Sequence, residues 1–267
     1  MDYAIIGGDA RFAYLTRLLC LCGYDARAVN GAKCDVPGVL TADRSELPRA
    51  RTVIMNWPCP EGEKILQELQ RGTNVLFCGP GKPENVPAGL NYTDLWLDEQ
   101  LQLENAWLTA EGAICAAMNE GNASLKDCHC LVIGWGRIGK ALTELLIGMR
   151  ARVTVASRTE KGRNRAVERG AECVSTYKMA EAVRGKQIIF STAPERVLDE
   201  EALKYAETDA MIIDLASAPY GVDIEAARRL NLRAWREPKL PGRYCPFSAA
   251  RALLQAIIRA ERNDMYD

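Results

Sequence analysis

A single histidine, His129, stands among 267 residues, so chemistry that runs on imidazole has one candidate or none. Neither charge is in excess: 34 Lys+Arg oppose 35 Asp+Glu, for a formal net charge of −1. That balance excludes a polyanion binder, because nucleic-acid affinity comes mainly from clustered cations on phosphates. No apolar run approaches the ~18 residues of a membrane span. The opening Met1-Asp2-Tyr3 carries an acid and enters a strand-like segment directly, which predicts no signal peptide. Compositional bias is missing too: 48% hydrophobic, 26% charged, 21 Gly and 12 Pro exclude a disordered or collagenous chain.

Length and cysteine are what the chain does have. At ~100–200 residues per domain there is enough for two domains, with a core large enough to need no staples. Ten cysteines without a secretory signal read as reduced thiols in a cytosol. Cys128-His129-Cys130 resembles a ligand cluster, but it opens the apolar segment Leu131-Val132-Ile133, which reads as a strand. Alternate strand side chains face opposite ways, so His129 points away from both thiols. Cys20 and Cys22 stand about 200° apart on an expected helix. No Cys-x2-Cys pair or second histidine completes a zinc site, and no metal is expected.

Short apolar strands alternate with helical stretches, twice over. The first series has strands at 3–6, 26–29, 52–56 and 74–78, a helix led by Asp9 as N-cap, and another at 61–70. Prolines and glycines from Gly79 to Gly89 mark a loop-rich exit. The apolar alternation Leu95, Leu97, Leu101, Leu103 follows, then a small-residue helix over 110–119, with Thr109 as its N-cap and Gly121 as its stop. The second series has strands at 130–134, 152–156, 172–174, 187–191, 210–214 and 232–235, a loop over 238–246 and a final helix over 247–262. Such alternation predicts an α/β protein: two Rossmann-like, doubly wound parallel-sheet lobes around a cleft. The expected domains are 1–122, with the linking helix, then 123–237 for nucleotide, then 238–267 returning toward the first. One continuous sheet is the alternative.

The strongest motif is Gly134-Trp135-Gly136-Arg137-Ile138-Gly139, set between an apolar strand and an apolar-striped helix. In that context Gly134 makes the tight turn, Gly136 lets the backbone approach a pyrophosphate, and Gly139 packs helix on strand. The free N–H groups of the helix start then receive the anion. An NAD site usually places Asp or Glu at the end of the next strand; here stand Ser157, Arg158 and Thr159. That trio suits a ribose 2′-phosphate, with Arg158 as planar fork, so NADP is expected over NAD. Two later strand ends should line the crevice: Thr192, Ala193 and Pro194, then Leu215 and Ser217. Asp214 reads equally as a cofactor-side acceptor or a capping carboxylate.

The chain resembles the dipicolinate synthase A family over essentially its whole length. The resemblance is carried by Ile5-Ile6-Gly7-Gly8-Asp9-Ala10-Arg11, Thr109-Ala110-Glu111-Gly112, the Gly134–Gly139 turn, Ala156-Ser157-Arg158, Asp214-Leu215-Ala216-Ser217 and Leu240-Pro241-Gly242. The turn is common to many dehydrogenases; the other segments, in this order, are far more particular. The resemblance implies an NADP-linked polypeptide that oxidises dihydrodipicolinate to pyridine-2,6-dicarboxylate. It also implies a flavoprotein-like partner, dipicolinate synthase B, and the cytoplasm of the mother cell of a sporulating bacterium. A homo-oligomer is left open.

Making a pyridine from a dihydropyridine removes a hydride and a proton. His129 starts a strand, at the edge away from the crevice, and is poorly placed to help. Aromatisation is strongly downhill, so Glu111, Asp9 or water suffices as base. Two substrate carboxylates need cations, and Arg11 is the first choice, with Arg243 and Lys239 behind it. Substrate is expected against Arg11, Thr109 and Glu111. Arg11 as a solvated helix-start arginine, and Glu111 as a first-turn carboxylate, are the plainer alternatives. Two other functions stay open: a different two-lobed NADP dehydrogenase, shikimate- or alanine-dehydrogenase-like, or a non-catalytic nucleotide sensor that regulates a partner.

Overall fold

A computed structural model describes residues 1–29, 36–121 and 124–263. The strands of the first series are β1 (Tyr3–Ile6), β2 (Ala26–Val29), β3 (Thr41–Ala42), β4 (Thr52–Met55), β5 (Asn74–Phe77) and β6 (Asn91–Asp94). Helices α1 (Ala10–Leu21) and α2 (Gly62–Glu68) lie among them, and α3 (Glu99–Glu120) follows. The second series is β7 (His129–Ile133), α4 (Arg137–Gly148), β8 (Arg152–Ala156), α5 (Glu160–Glu168), β9 (Glu172–Val174), α6 (Met179–Ala182) and β10 (Ile188–Ser191). It continues through α7 (Glu200–Leu203), β11 (Met211–Asp214), α8 (Ile224–Arg229) and β12 (Arg233–Arg236). Helices α9 (Leu240–Tyr244) and α10 (Pro246–Asn263) complete it.

The chain divides into two compact units, Met1–Asn105 with Pro241–Asp267, and Ala106–Leu240. Each holds one six-stranded parallel sheet, in the orders β3-β2-β1-β4-β5-β6 and β9-β8-β7-β10-β11-β12. Both orders read 3-2-1-4-5-6 within their own unit, the doubly wound Rossmann arrangement. The expected domain boundary at 122/123 lies outside the described residues.

In the first unit β1 is buried on both faces, so its residues sort alternately into two cores. Tyr3 and Ile5 pack with Phe12, Leu15 and Leu19 of α1 and with Leu253 and Ile257 of α10. Ala4 and Ile6 join Leu47, Val53, Met55, Ile65 and Phe77 beneath. Each such large side chain contributes roughly 1.5–3 kcal/mol by leaving water. In the second unit Leu131, Ile133, Ile189 and Ile212 pack with Val183, Leu198 and Leu203.

Four segments depart from the sequence expectation. β3 is only two residues long, and β6 is Asn-Tyr-Thr-Asp, so neither carries an apolar signature. Leu95–Leu97 form a 3-10 turn, and α3 already begins at Glu99. Asp98 opens that helix: its carboxylate accepts from Leu101 N at 2.9 Å and from Arg259 Nε at 2.7 Å. Thr109 is therefore buried inside α3 and caps nothing. The expected loop over 238–246 contains α9.

Candidate functional site

The turn from β7 into α4 is built by three glycines for three different reasons. Gly134 has φ +105, and a Cβ there would lie 2.5 Å from Thr192 Oγ1. A Cβ on Gly139 would lie 2.1 Å from the Gly134 carbonyl oxygen and 3.2 Å from the same hydroxyl. Thr192 Oγ1 is itself anchored, donating to the Ile133 carbonyl at 2.9 Å. Two glycines are thus demanded by packing. Gly136 is not: nothing lies within 4 Å of a Cβ built on it. It is the N-cap of α4, and no side chain caps that helix. The amides of Ile138 and Gly139, in the first turn, have no carbonyl partner within the helix. The Trp135 indole N–H is buried and has no acceptor among the described residues.

These residues open on a cavity of about 690 Å3. Gly134, Trp135 and Gly136 line it from the turn, Ser157, Arg158 and Thr159 from the end of β8, and Thr192, Ala193 and Pro194 from the end of β10. Nine of the expected cofactor residues are therefore brought together. Arg137, Ile138 and Gly139 are not in the lining; they are the first turn of α4. Leu215 and Ser217, beyond β11, are not in the lining either. Sequence reasoning missed Thr176 and Tyr177, which follow β9, and Glu195 and Arg196, which follow Pro194. The signal for them was available in part, since every strand end of a doubly wound sheet faces the crevice.

The expected phosphate trio is unequal. Thr159 Oγ1 accepts from Gly162 N at 3.1 Å and caps α5. Ser157 is buried, its hydroxyl 2.4 Å from where a Cβ on Gly162 would fall. Arg158 alone projects, and its Nη1 donates to Glu195 Oε2 at 3.0 Å. Asp214 is buried and accepts from the N–H groups of Ala216, Gly221 and Val222, each at 3.2 Å. Burial pushes its carboxyl up, and those N–H groups pull the other way without overcoming it. Asp214 caps no helix, since Asp223 is the N-cap of α8; it organises the loop that follows β11.

In the first unit the corresponding turn is Gly7-Gly8-Asp9, between β1 and α1. Asp9 caps α1, accepting from Arg11 N at 3.1 Å. The Arg11 side chain doubles back on the same carboxylate, Nε at 2.9 Å from Oδ1 and Nη2 at 2.7 Å from Oδ2. Arg11 is thus neither a solvated helix-start arginine nor an uncommitted clamp. Gly242 of α9 covers the pair; a Cβ there would lie 2.9 Å from Asp9 Oδ2 and 3.1 Å from Arg11 Nε. The nearby Cys78 thiol is buried, which pushes its pKa up to about 12. Glu111 is exposed on α3 and accepts from Trp107 Nε1 at 3.0 Å, far from the helix start. It is not the first-turn carboxylate expected. Arg243 stacks on Tyr244, with the guanidinium carbon 5.1 Å from the ring centre, and Lys239 is exposed at φ +59.

His129 begins β7, at the amino edge of the sheet. Cys128 and Cys130 are buried with their Sγ atoms 3.8 Å apart. Among the described residues no group of three or more His, Cys, Asp or Glu is placed to hold a metal ion. No helix among them is long and apolar enough to cross a membrane.

Residues 116–233, within the second unit, match the family model of shikimate / quinate 5-dehydrogenase. The chain as a whole resembles dipicolinate synthase A. It is 27% identical over 280 residues to that protein from Bacillus subtilis (strain 168), covering 96% of this chain and 94% of the relative. The solved dipicolinate synthase A from Bacillus halodurans superposes with a TM-score of 0.84, at 22% identity over 97% of each chain. The solved Bacillus subtilis protein gives 0.81, at 23% identity, covering 99% of this chain and 97% of its own. The two-sheet fold is that of the dipicolinate synthase A structures.

Proposed function

We propose that this chain is an NADP-dependent oxidoreductase of the dipicolinate synthase A type, forming pyridine-2,6-dicarboxylate from dihydrodipicolinate. The observation that carries the reading is the uncapped start of α4 at Gly136, opening on a cavity with Arg158 at its β8 rim. Open space at Gly136, the uncapped helix start and the orphaned Trp135 N–H fit a dinucleotide pyrophosphate. When bound, the nicotinamide supplies the hydride acceptor.

The chain's residues would divide the remaining work. Arg158 would take the 2′-phosphate in a charge-assisted bond of roughly 1.5–3 kcal/mol. An exposed ion pair such as that with Glu195 contributes about 0–1 kcal/mol, so the phosphate wins the arginine and NADP is favoured over NAD. Arg11 would meet a substrate carboxylate with the guanidinium edge that Asp9 does not use. Asp9 is already committed to that arginine and to the Arg11 N–H. The substrate proton would pass to Glu111 or to water. Thr109, buried within its helix, would pack rather than react. The flavoprotein-like dipicolinate synthase B is the proposed partner, and the mother-cell cytoplasm of a sporulating bacterium the proposed location.

The test is turnover of dihydrodipicolinate with NADP, with and without that partner, followed by the ultraviolet absorbance of the aromatic product and of reduced nucleotide. Aromatic product in either arm supports the reading. No aromatic product, with shikimate or alanine oxidised instead, would overturn it in favour of the second enzymatic reading. That reading rests on the family match, which spans the nucleotide half and carries no argument about the substrate half. Nucleotide bound and no substrate turned over in any arm would point to a nucleotide sensor. Equal affinity for NAD and NADP would remove Arg158 from its role.

A further inference from the structure

Arg158 and Glu195 reach one another from different strand ends. Arg158 follows β8, Glu195 follows β10, and both line the same cavity. Their side chains are 67% and 66% exposed, so either can swing away at small cost. The backbone beneath is fixed: Arg163 Nη1 donates to the carbonyls of Ser157 at 2.9 Å and of Arg158 at 3.0 Å. Thr159 is spent on capping α5 and Ser157 is buried. Arg196, also in the lining, pairs with Asp223 at 3.5 Å, so the guanidinium held by a carboxylate across this cavity is that of Arg158.

Resting on the nucleotide reading above, we infer that Glu195 is a specificity-determining residue. Its carboxylate competes with the ribose 2′-phosphate for Arg158 and so limits the preference for NADP over NAD. A 2′-hydroxyl can enter with the pair intact and donate to the carboxylate. A 2′-phosphate must share the guanidinium with Glu195 or displace it, and in either case sits beside a like charge. Specificity is a difference of two affinities, and Glu195 acts on both, in opposite directions. An acidic side chain is thus present at the ribose after all, supplied by the β10 loop rather than by the end of β8.

A double-mutant cycle tests this, with NADP and NAD titrated into wild type, Glu195→Gln, Arg158→Ala and the double variant, read by tryptophan fluorescence. Glu195→Gln should raise the NADP:NAD affinity ratio about tenfold. In the Arg158→Ala background the same change should move the ratio less than about twofold. A ratio unmoved by Glu195→Gln, or moved equally without Arg158, overturns the inference. Gly136→Asp separates that failure from failure of the site. If Gly136→Asp abolishes binding while Glu195→Gln does nothing, the site stands and Glu195 has no part in its selectivity. If wild type binds neither nucleotide, or Gly136→Asp leaves binding intact, the site and the inference fall together.

Discussion

In the first unit the helix after the central strand begins under a carboxylate; in the second it begins at a glycine, with no side-chain cap. Topology is the same in both, so both place a helix N-terminus at the carboxyl edge of a parallel sheet. Asp9 fills the first from within, and Arg11 and Gly242 close over it. Gly136 leaves the second open. A strand order thus supplies an anion site twice, and one side chain at the N-cap decides whether it is kept for a ligand. The first unit uses the position to hold α1 and seat α9; the second has it to spare.

The sharpest way to break the comparison is to make the second turn like the first. Gly136→Asp has room, since nothing lies within 4 Å of its Cβ, and would cap α4 with its own carboxylate. NADP affinity should fall by at least ~100-fold, from lost amide contacts and repulsion of the pyrophosphate. Thermal stability should hold or rise slightly. Unchanged affinity in a titration would mean that the open N-cap is not what binds. Next in size is Gly139→Ala, whose Cβ would fall 2.1 Å from the Gly134 oxygen. Overpacking of this kind costs about 1–3 kcal/mol, read by chemical denaturation. Gly8→Ala in the first unit, with nothing within 4 Å, should change stability by less than ~0.5 kcal/mol. Equal losses at both would show that the second turn is no more tightly packed than the first.

How much of this was legible beforehand follows the range of the interactions. The Gly134–Gly139 turn could be read because Gly134 and Gly139 answer contacts made within their own strand, turn and helix or the neighbouring strand end, and Gly136 is the helix N-cap between them. The Asp9 cap was legible for the same reason, and the Asp9–Arg11 pair, two residues apart, could have been. The true start of α3 was legible in part: Asp98 accepts from Leu101 N three residues on, a local cap, while its second partner Arg259 lies 161 residues away on α10. Thr109 looked like a cap because local spacing allows that too. Glu195 was missed because its meaning comes only from facing Arg158 across 37 residues of chain.

The converse experiment empties the first turn. Asp9→Ala removes the α1 cap, worth about 1 kcal/mol, and leaves the partly buried Arg11 without its counter-ion, worth up to about 1 more. Denaturation should therefore lose about 1–2 kcal/mol while NADP affinity stays within twofold of wild type. A large loss of NADP affinity would show that the two turns do not act independently and would undo the division of labour drawn between them.

A further small effect contrasts a carboxylate of each unit through pH. Burial pushes the Asp98 carboxyl up, but Arg259 and the Leu101 N–H outweigh it, and its pKa is lowered. Asp214 goes the other way, raised because burial wins over its three N–H donors. A lowered folded pKa contributes stability present above the unfolded value of ~3.9 and lost as pH falls through the folded value. A raised one contributes stability present below ~3.9 and lost as pH rises through the folded value. Acidification should therefore weaken the Asp98 ties and strengthen the Asp214 loop. In urea unfolding across a pH series, Asp98→Asn should cost ~0.2–1 kcal/mol near neutrality, and the gap should close once wild-type Asp98 is protonated. The gap for Asp214→Asn should instead widen as pH falls toward ~4, because wild type gains there and the variant does not. A gap at Asp98 that stays flat with pH would mean that its charge contributes nothing to holding α10, and the hydrogen bond to Leu101 would be its whole contribution.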